Sequence, residues 1–253
     1  VSRPEDAGSL TAMRIAEKLG VSESTVVRFA VKIGYDGFPD MQAAIRAASR
    51  NASAPVGDRS RGNLEGRTLM SLRNDLDALQ QSIEEIDLSA LTAAATTLDV
   101  ANTVFVCGFR TSFSLAFLAD FHIRKVHKSV RLLGDAGGTL VDDMDLIGPG
   151  DAVLAFTFPV YDDRTIQVVH RALAVQAASV VVTDSALAPL PIDPKVHPLT
   201  VRHDSVSFFN STVAAAALLN AIVVRMVEIR GERDAAFEHA LARSFHSTRS
   251  RLL

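Results

Sequence analysis

The chain has a single cysteine, Cys107, among its 253 residues. That excludes an intrachain disulfide and any zinc site built from several thiolates. Long apolar runs are missing as well. The most hydrophobic stretch, Val213 to Val224, is about a dozen residues, contains Asn220 and ends at Arg225. A bilayer span needs ~20 apolar residues, so this stretch reads as a core helix and no membrane partner is expected. The first residues, Val-Ser-Arg-Pro-Glu-Asp, hold no apolar segment of the secretory kind, and a cytoplasmic location is the expectation. With no initiator Met, the chain reads as a fragment or a truncated form. Bulk positive charge is also lacking: 26 Lys and Arg stand against 29 Asp and Glu, a net charge of −3. A protein that coats nucleic acid by charge alone is thereby excluded, while a small DNA-reading module joined to an acidic domain is not.

What is present is 48% hydrophobic and 22% charged residues, enough to bury a core without a metal or disulfide. At roughly 100–200 residues per domain the length allows one large domain or two smaller ones. Charge divides unevenly. Residues 1–75 hold 11 Lys and Arg against 9 Asp and Glu, whereas residues 76–253 hold 15 against 20. Residues 47–66, AASRNASAPVGDRSRGNLEG, show little apolar periodicity and read as a linker. Leu69, Leu72, Leu76, Leu79 and Ile83 then recur at helical spacing, an amphipathic helix leading into the second part.

From residue 100 onward, short β-branched runs alternate with helical segments. Thr103–Cys107 ends in Gly108, Val130–Leu133 ends in Gly134, and further runs lie at 151–158, 179–183 and 196–201. Continuous apolar strands separated by helices imply a parallel sheet covered on both faces. Ligands in such sheets bind beyond the C-terminal strand ends, so the loops after residues 107, 157 and 183 are the candidate site.

Near the start, Thr11 can cap a helix over 12–19 that Gly20 ends in a left-handed conformation. Ser22 then caps a second helix to about Ile33, with Gly34 stopping it. Ile15, Leu19, Val21, Val26, Phe29 and Ile33 are expected to bury together, with small Ala16 at the helix crossing. The other face of the second helix presents Ser24, Arg28 and Lys32 at i, i+4 and i+8, with Thr25 beside Ser24. Short hydroxyls near a helix N-terminus suit base edges, and the cations after them suit phosphates. An ordinary αα-hairpin with a solvated polar face has similar spacing, but the match at Ala16, Gly20, Val26 and Phe29 favours a reader. Ser22, Ser24, Thr25, Arg28 and Lys32 form the candidate DNA-binding set.

The segment Arg14–Phe29, followed by Ile33-Gly34-Tyr35-Asp36-Gly37-Phe38, resembles the N-terminal domain of RpiR-type transcriptional regulators. Those regulators have further helices before this point, where this chain has about ten residues. The resemblance continues in TVFVCGFRTSFSLA over 103–116, in FTFPVYDDRT over 156–165, in Thr183-Asp184-Ser185 and in Ser207–Ser211. It implies a sugar isomerase (SIS) domain that binds phosphosugars and related effectors. The expected fold is α/β: an all-α helix-turn-helix domain, then a five-stranded parallel-sheet αβα sandwich. The expected division is 1–50 for the reader, 51–66 for the linker, 67–99 for a connecting amphipathic helix, and 100–253 for effector binding and dimerisation.

Backbone N–H groups at Arg110-Thr111-Ser112 and the helix behind them favour an anionic group. The Arg110 guanidinium can grip phosphate or carboxylate in two places. Ser112 is equally a helix cap, and Arg110 equally one half of a surface ion pair. In the second loop, Thr157 and Thr165 match the family's hydroxyl positions. Tyr161 either covers a sugar ring or packs on the sheet. Asp162 and Asp163 depart from the family, since a carboxylate beside a phosphate is unfavourable without a cation, and Arg164 is the compensating candidate. A sugar acid, a polyol or an amino-acid-like ligand therefore stands beside the phosphosugar.

The expected function is a regulator that binds a double-stranded operator as a homodimer or homotetramer and senses a small effector. No cofactor, metal or catalytic residue is assigned. The alternatives are an SIS sugar-phosphate isomerase and a metabolite-binding protein without DNA function. For an isomerase, Asp162, Asp163, His170, His203 and Asp204 are the available bases, none in a recognisable motif. His122 and His127 are too poorly aligned for a metal pair and read as surface or interface groups.

Overall fold

The computed structural model describes residues 11–32, 35–43, 64–185, 188–205 and 209–233. Expectations for Ile33-Gly34, for the end of the reader over 44–50, for the linker over 51–63, for Ser207-Phe208 and for the chain beyond 233 lie outside the described residues. The chain divides into two compact units, Val1–Leu64 and Glu65–Leu253.

In the first unit, α1 (Ala12–Leu19) starts at Thr11, whose Oγ1 accepts from the Arg14 N–H at 3.3 Å. It ends at Gly20, whose φ of 66° is the left-handed geometry that glycine adopts without steric cost. Helix α2 (Glu23–Lys32) begins after Ser22, whose Oγ accepts from the Thr25 N–H at 3.2 Å. Ala12, Ile15, Ala16, Val26 and Ala30 form the buried core with Phe38 and Met41 from the segment that follows. Two expected core members are not in it: Val21 and Phe29 are 43% and 53% exposed. Val26 and Ala30, one turn apart, set the inward line of α2, and Phe29 lies off it. Small alanines bring α1 and α2 together, and Phe38 and Met41 fill the space a third side chain of α2 was expected to take.

Helix α3 (Leu64–Glu85), all but its first residue in the second unit, starts inside the stretch expected to be linker. Helix α4 (Leu88–Val100) is capped by Asp87, which accepts from the Ser89 and Ala90 N–H groups. Then follow β1 (Val104–Gly108), α5 (Phe113–Ile123), β2 (Val130–Leu132), α6 (Leu140–Asp145), β3 (Ala152–Phe156), α7 (Asp163–Ala174), β4 (Ala178–Thr183), β5 (Val196–Thr200) and α8 (Val213–Arg233). All four strand pairings are parallel, in the order β2-β1-β3-β4-β5.

Strand residues alternate between two cores. Val104, Val106, Leu154 and Phe156 pack with α4, α5 and α8, while Phe105, Cys107, Val153 and Ala155 pack toward α6 and α7. Both faces are covered, which is why the strands read as unbroken apolar runs. Burial pushes the Cys107 thiol up to about 12, so it is a packing group and not a reactive thiolate. His127 is buried rather than on the surface, its ring nitrogens 2.9 Å from the Ser129 carbonyl and 3.0 Å from the Ala101 carbonyl. The last turn of α8 is tied to α4 by the buried Asp99, which accepts from Arg230 Nε at 2.7 Å and from Arg233 at 2.8 Å.

Candidate functional site

Strand order reverses between β1 and β3. In an open parallel sheet that reversal leaves a crevice beyond the strands' C-terminal ends, where the loops on either side diverge. The loops after β1 and β3 flank it, and those after β2, β4 and β5 are tied to the β3 loop.

After β1, Gly108 and the buried Phe109 lead into a tight turn over Arg110–Ser112. Arg110 takes a φ of 57°, sparsely populated for a residue with a side chain. The Ser112 N–H donates to the Phe109 carbonyl at 3.2 Å. Ser112 is buried, and its hydroxyl makes no capping bond to α5, so the helix-cap alternative does not account for it. Gly108 is required by space: a Cβ there meets the Ser112 carbonyl oxygen at 2.5 Å.

After β3, Thr157 hands the chain into the second loop, its N–H donating to the Val182 carbonyl at 3.1 Å. Thr157 is 2% exposed and Thr165 0%, and neither hydroxyl has a hydrogen-bond partner. Buried hydroxyls are normally paired, so two orphans, one at the start of this loop and one in the first turn of α7, need an explanation.

The charged residues of this loop bind one another. Asp162 caps α7, accepting from the Arg164 N–H at 3.0 Å. Its carboxylate also takes two bonds from the Arg164 guanidinium, at 2.9 Å from Nε and 2.8 Å from the second nitrogen. The third arm of Arg164 reaches Asp135, after β2, at 2.5 Å, and the guanidinium lies 4.5 Å from the Phe109 ring centre. Arg164 thus joins the loops after β1, β2 and β3. It holds the Asp162 carboxyl below its ordinary value of 3.8, while the two carboxylates push Arg164 further up. Tyr161 donates to Asp184 at 2.8 Å, and Thr183 Oγ1 donates to the same oxygen at 3.2 Å. Burial, then the Asp184 charge, raises the Tyr161 hydroxyl well above its usual range. Asn210 donates to the Pro159 carbonyl at 3.1 Å, and the Phe158 and His203 rings are 5.6 Å apart.

Asp162→Asn isolates the ion pair, because Asn caps a helix as well as Asp does. With Arg164 about one-third exposed, the expected cost is at most about 1 kcal/mol at pH 7. A depressed folded pKa contributes stability above the unfolded value and loses it as pH falls through the folded value. Urea unfolding of wild type and variant should therefore converge as pH drops below 3.8. A difference that stays constant with pH contradicts this.

Of the expected ligand residues, Thr157 and Thr165 present orphan hydroxyls. Arg110, Thr111 and Ser112 form the β1 turn, and Tyr161, Asp162 and Arg164 are engaged within the protein. Asp135, Asp184, Phe109, Phe158 and His203 were not on the expected list. Asp135 was within reach, since the rule that pointed to the loops after 107, 157 and 183 applies equally after Leu133. Among the described residues, no cluster of His, Cys, Asp and Glu could hold a metal ion, and no helix is long and apolar enough to cross a membrane.

In the first unit, Ser22, Ser24, Thr25, Arg28 and Lys32 are all exposed. Ser22 Oγ lies 2.9 Å from Ser24 Oγ and 2.7 Å from Thr25 Oγ1, and Arg28 Nε donates to the Ser24 carbonyl at 3.3 Å. Hydroxyls and guanidinium thus occupy one solvent-facing surface of α2.

Residues 97–225 match the SIS domain family, and residues 1–51 match the helix-turn-helix domain of the rpiR family. One similar protein is the uncharacterized HTH-type transcriptional regulator YfhH of Escherichia coli (strain K12), 26% identical over 164 residues. That match covers 62% of this chain and 57% of the relative, so the chain spans little more than half of its length. The sugar isomerase domain of an RpiR transcription factor from Sphaerobacter thermophilus superposes with a TM-score of 0.63 at 20% identity, covering 71% of this chain and 98% of that one. The Vibrio vulnificus NanR protein complexed with ManNAc-6P gives 0.63 at 18% identity, covering 98% and 89%. At these identities the two structures show a shared fold.

Proposed function

The chain belongs to the SIS-domain family and carries that domain behind an rpiR-family helix-turn-helix, and from that premise we propose a DNA-binding transcriptional regulator that senses a small carbohydrate-related metabolite. Helix α2 enters the major groove with Ser24, Thr25 and Arg28 near base edges, Ser22 at its N-terminus and Lys32 on phosphate. Two copies read a pseudo-palindrome with half-sites ~34 Å, or a multiple of that, apart. The effector is a phosphosugar, sugar acid or polyol held at the strand ends. Its anionic group meets the backbone and side chain of Arg110, with Thr111 and Ser112, and its hydroxyls meet Thr157 and Thr165. Arg164, Asp162 and Tyr161 hold the loops in place around it.

One observation carries the sensor reading over the isomerase. Of the candidate bases, Asp162 is already an acceptor for Arg164, and its strand-end neighbours Asp135 and Asp184 are acceptors for Arg164, Tyr161 and Thr183. A general base must instead be placed to take the substrate's proton. The buried hydroxyls fit reversible binding without such a base. NanR, which shares the fold, is complexed with a sugar phosphate, and this supports the ligand class. Effector binding shifts operator affinity by favouring one of two conformations.

The reader assignment is checked by binding to a duplex selected from a random pool. Arg28→Ala should cost about 1–3 kcal/mol of specific binding, and Lys32→Ala should lower the salt slope by about one unit. Operator affinity indifferent to Arg28→Ala removes the assignment.

A further inference from the structure

The segments that follow the five strands carry an excess of negative charge. Residues 109–112, 133–139, 157–165, 184–190 and 201–212 hold three arginines and no lysine against five aspartates. Two of those arginines are already paired, Arg164 with Asp162 and Asp135, and Arg202 with Glu85 of α3 at 2.6 Å. Arg110 is the third, and it has no ion pair among the described residues. The Asp162 carboxyl is held down chiefly by Arg164 and in smaller part by the Arg110 charge. A helix N-terminus also attracts anions, but that of α7 is capped by the chain's own Asp162 carboxylate. One cationic position is therefore left for a ligand, at the turn after β1.

That single position distinguishes between the acids a sugar can carry. A phosphate monoester has a charge of about −1.5 to −2 at pH 7, whereas a carboxylate has a single negative charge. One guanidinium can satisfy a carboxylate with two parallel N–H bonds. The further charge of a phosphate finds no cation and adds to an existing excess of carboxylates, which disfavours it.

The remaining groups suit hydroxyls. Tyr161 and Thr183 both donate to the same oxygen of Asp184, Oδ1, so neither uses Oδ2, which can accept from a ligand O–H. The unpartnered hydroxyls of Thr157 and Thr165 can donate or accept. A hydroxylated carbon chain behind one carboxylate meets both kinds of group.

We propose that the effector is a sugar acid, a polyhydroxy monocarboxylate, and not a sugar phosphate. Its carboxylate binds Arg110, and its hydroxyls meet Thr157, Thr165 and Asp184. The proposal rests on the placement of the effector at the strand ends argued above, and its test is made without DNA. An acid that binds but leaves operator affinity unchanged counts against the sensor and leaves the ligand class standing. A sugar phosphate that binds more tightly and shifts operator affinity does the reverse.

Calorimetric titration of the full chain compares the aldonic and uronic acids of the common hexoses with the phosphate esters and the alditols of the same sugars. At least one acid should bind about tenfold or more tightly than both its matched phosphate and its matched alditol. Arg110→Gln should bring that acid down to the affinity of the alditol. Asp162→Asn keeps the helix cap but removes one negative charge, and should narrow the gap between acid and phosphate by about tenfold. Because each comparison is between ligands on one variant, partial loss of folded protein does not imitate these changes. A phosphate that outbinds its matched acid, an absence of binding by every acid, or a gap indifferent to Asp162→Asn overturns the proposal.

Discussion

A chain carrying Thr157→Val and Thr165→Val is expected to melt higher than wild type and to bind its effector more weakly. Both hydroxyls are buried at the strand ends without a partner. An unsatisfied buried polar group costs about 1–3 kcal/mol of folding free energy. Valine keeps nearly the same shape and removes the stranded oxygen. A domain of this size shifts its melting point by roughly 2–4 °C per kcal/mol, so the double variant should gain several degrees. Effector affinity should move the other way, by about tenfold or more, as two hydrogen bonds of ~1 kcal/mol each are lost. Opposite signs for stability and binding mark groups kept for ligand rather than for packing. A variant that melts lower and binds equally well would show that the hydroxyls serve the core.

Gly108→Ala is expected to be strongly damaging. The added carbon would sit 2.5 Å from the Ser112 carbonyl oxygen and 3.0 Å from its carbonyl carbon. Both atoms are backbone, so no rotamer change relieves the clash. Either the end of β1 or the Arg110–Ser112 turn must move, at the roughly 1–3 kcal/mol or more typical of overpacking. That turn is the proposed anion contact, so effector binding should fall along with stability. Gly134 follows β2 in an equivalent loop, where a Cβ meets nothing within 4 Å. Gly134→Ala should therefore leave melting temperature and binding near wild type. Equal effects at the two positions would mean the β1 turn is not constrained as described.

Much of the fold is legible in the sequence because local rules and tertiary packing agree. Thr11 and Gly20 punctuate α1 as their chemistry dictates, and strands such as Val104–Gly108 read as unbroken apolar runs because both sheet faces are covered. Disagreement appears where periodicity gives a face but not its direction. The Leu69–Ile83 stripe was visible as one side of a helix. That Ala78 and Ser82 would take the inner side depends on Arg202, 120 residues away from Ser82. In the same way Phe29 lost its expected place in the core to Phe38 and Met41, from a later segment.

The site divides along a similar line. Arg110, Thr111, Ser112, Thr157 and Thr165 were within reach because strand-end loops and hydroxyl positions are sequence features. The use of Arg164 was only half visible. Its bonds to Asp162 are local, but its bond to Asp135 spans 29 residues and that of Tyr161 to Asp184 spans 23. The carboxylate at Asp162 is paired with a cation by the Arg164 contacts.

The most direct test is the affinity of the full chain for its selected operator, measured by fluorescence anisotropy with and without an effector found by thermal shift among sugar phosphates, sugar acids and polyols. A metabolite sensor should change operator affinity by about 5–150-fold on binding effector. Arg110→Ala or Thr165→Val should abolish that change while leaving effector-free DNA binding intact. An effector that binds without altering operator affinity, or a sugar phosphate that the purified chain turns over, would contradict the account.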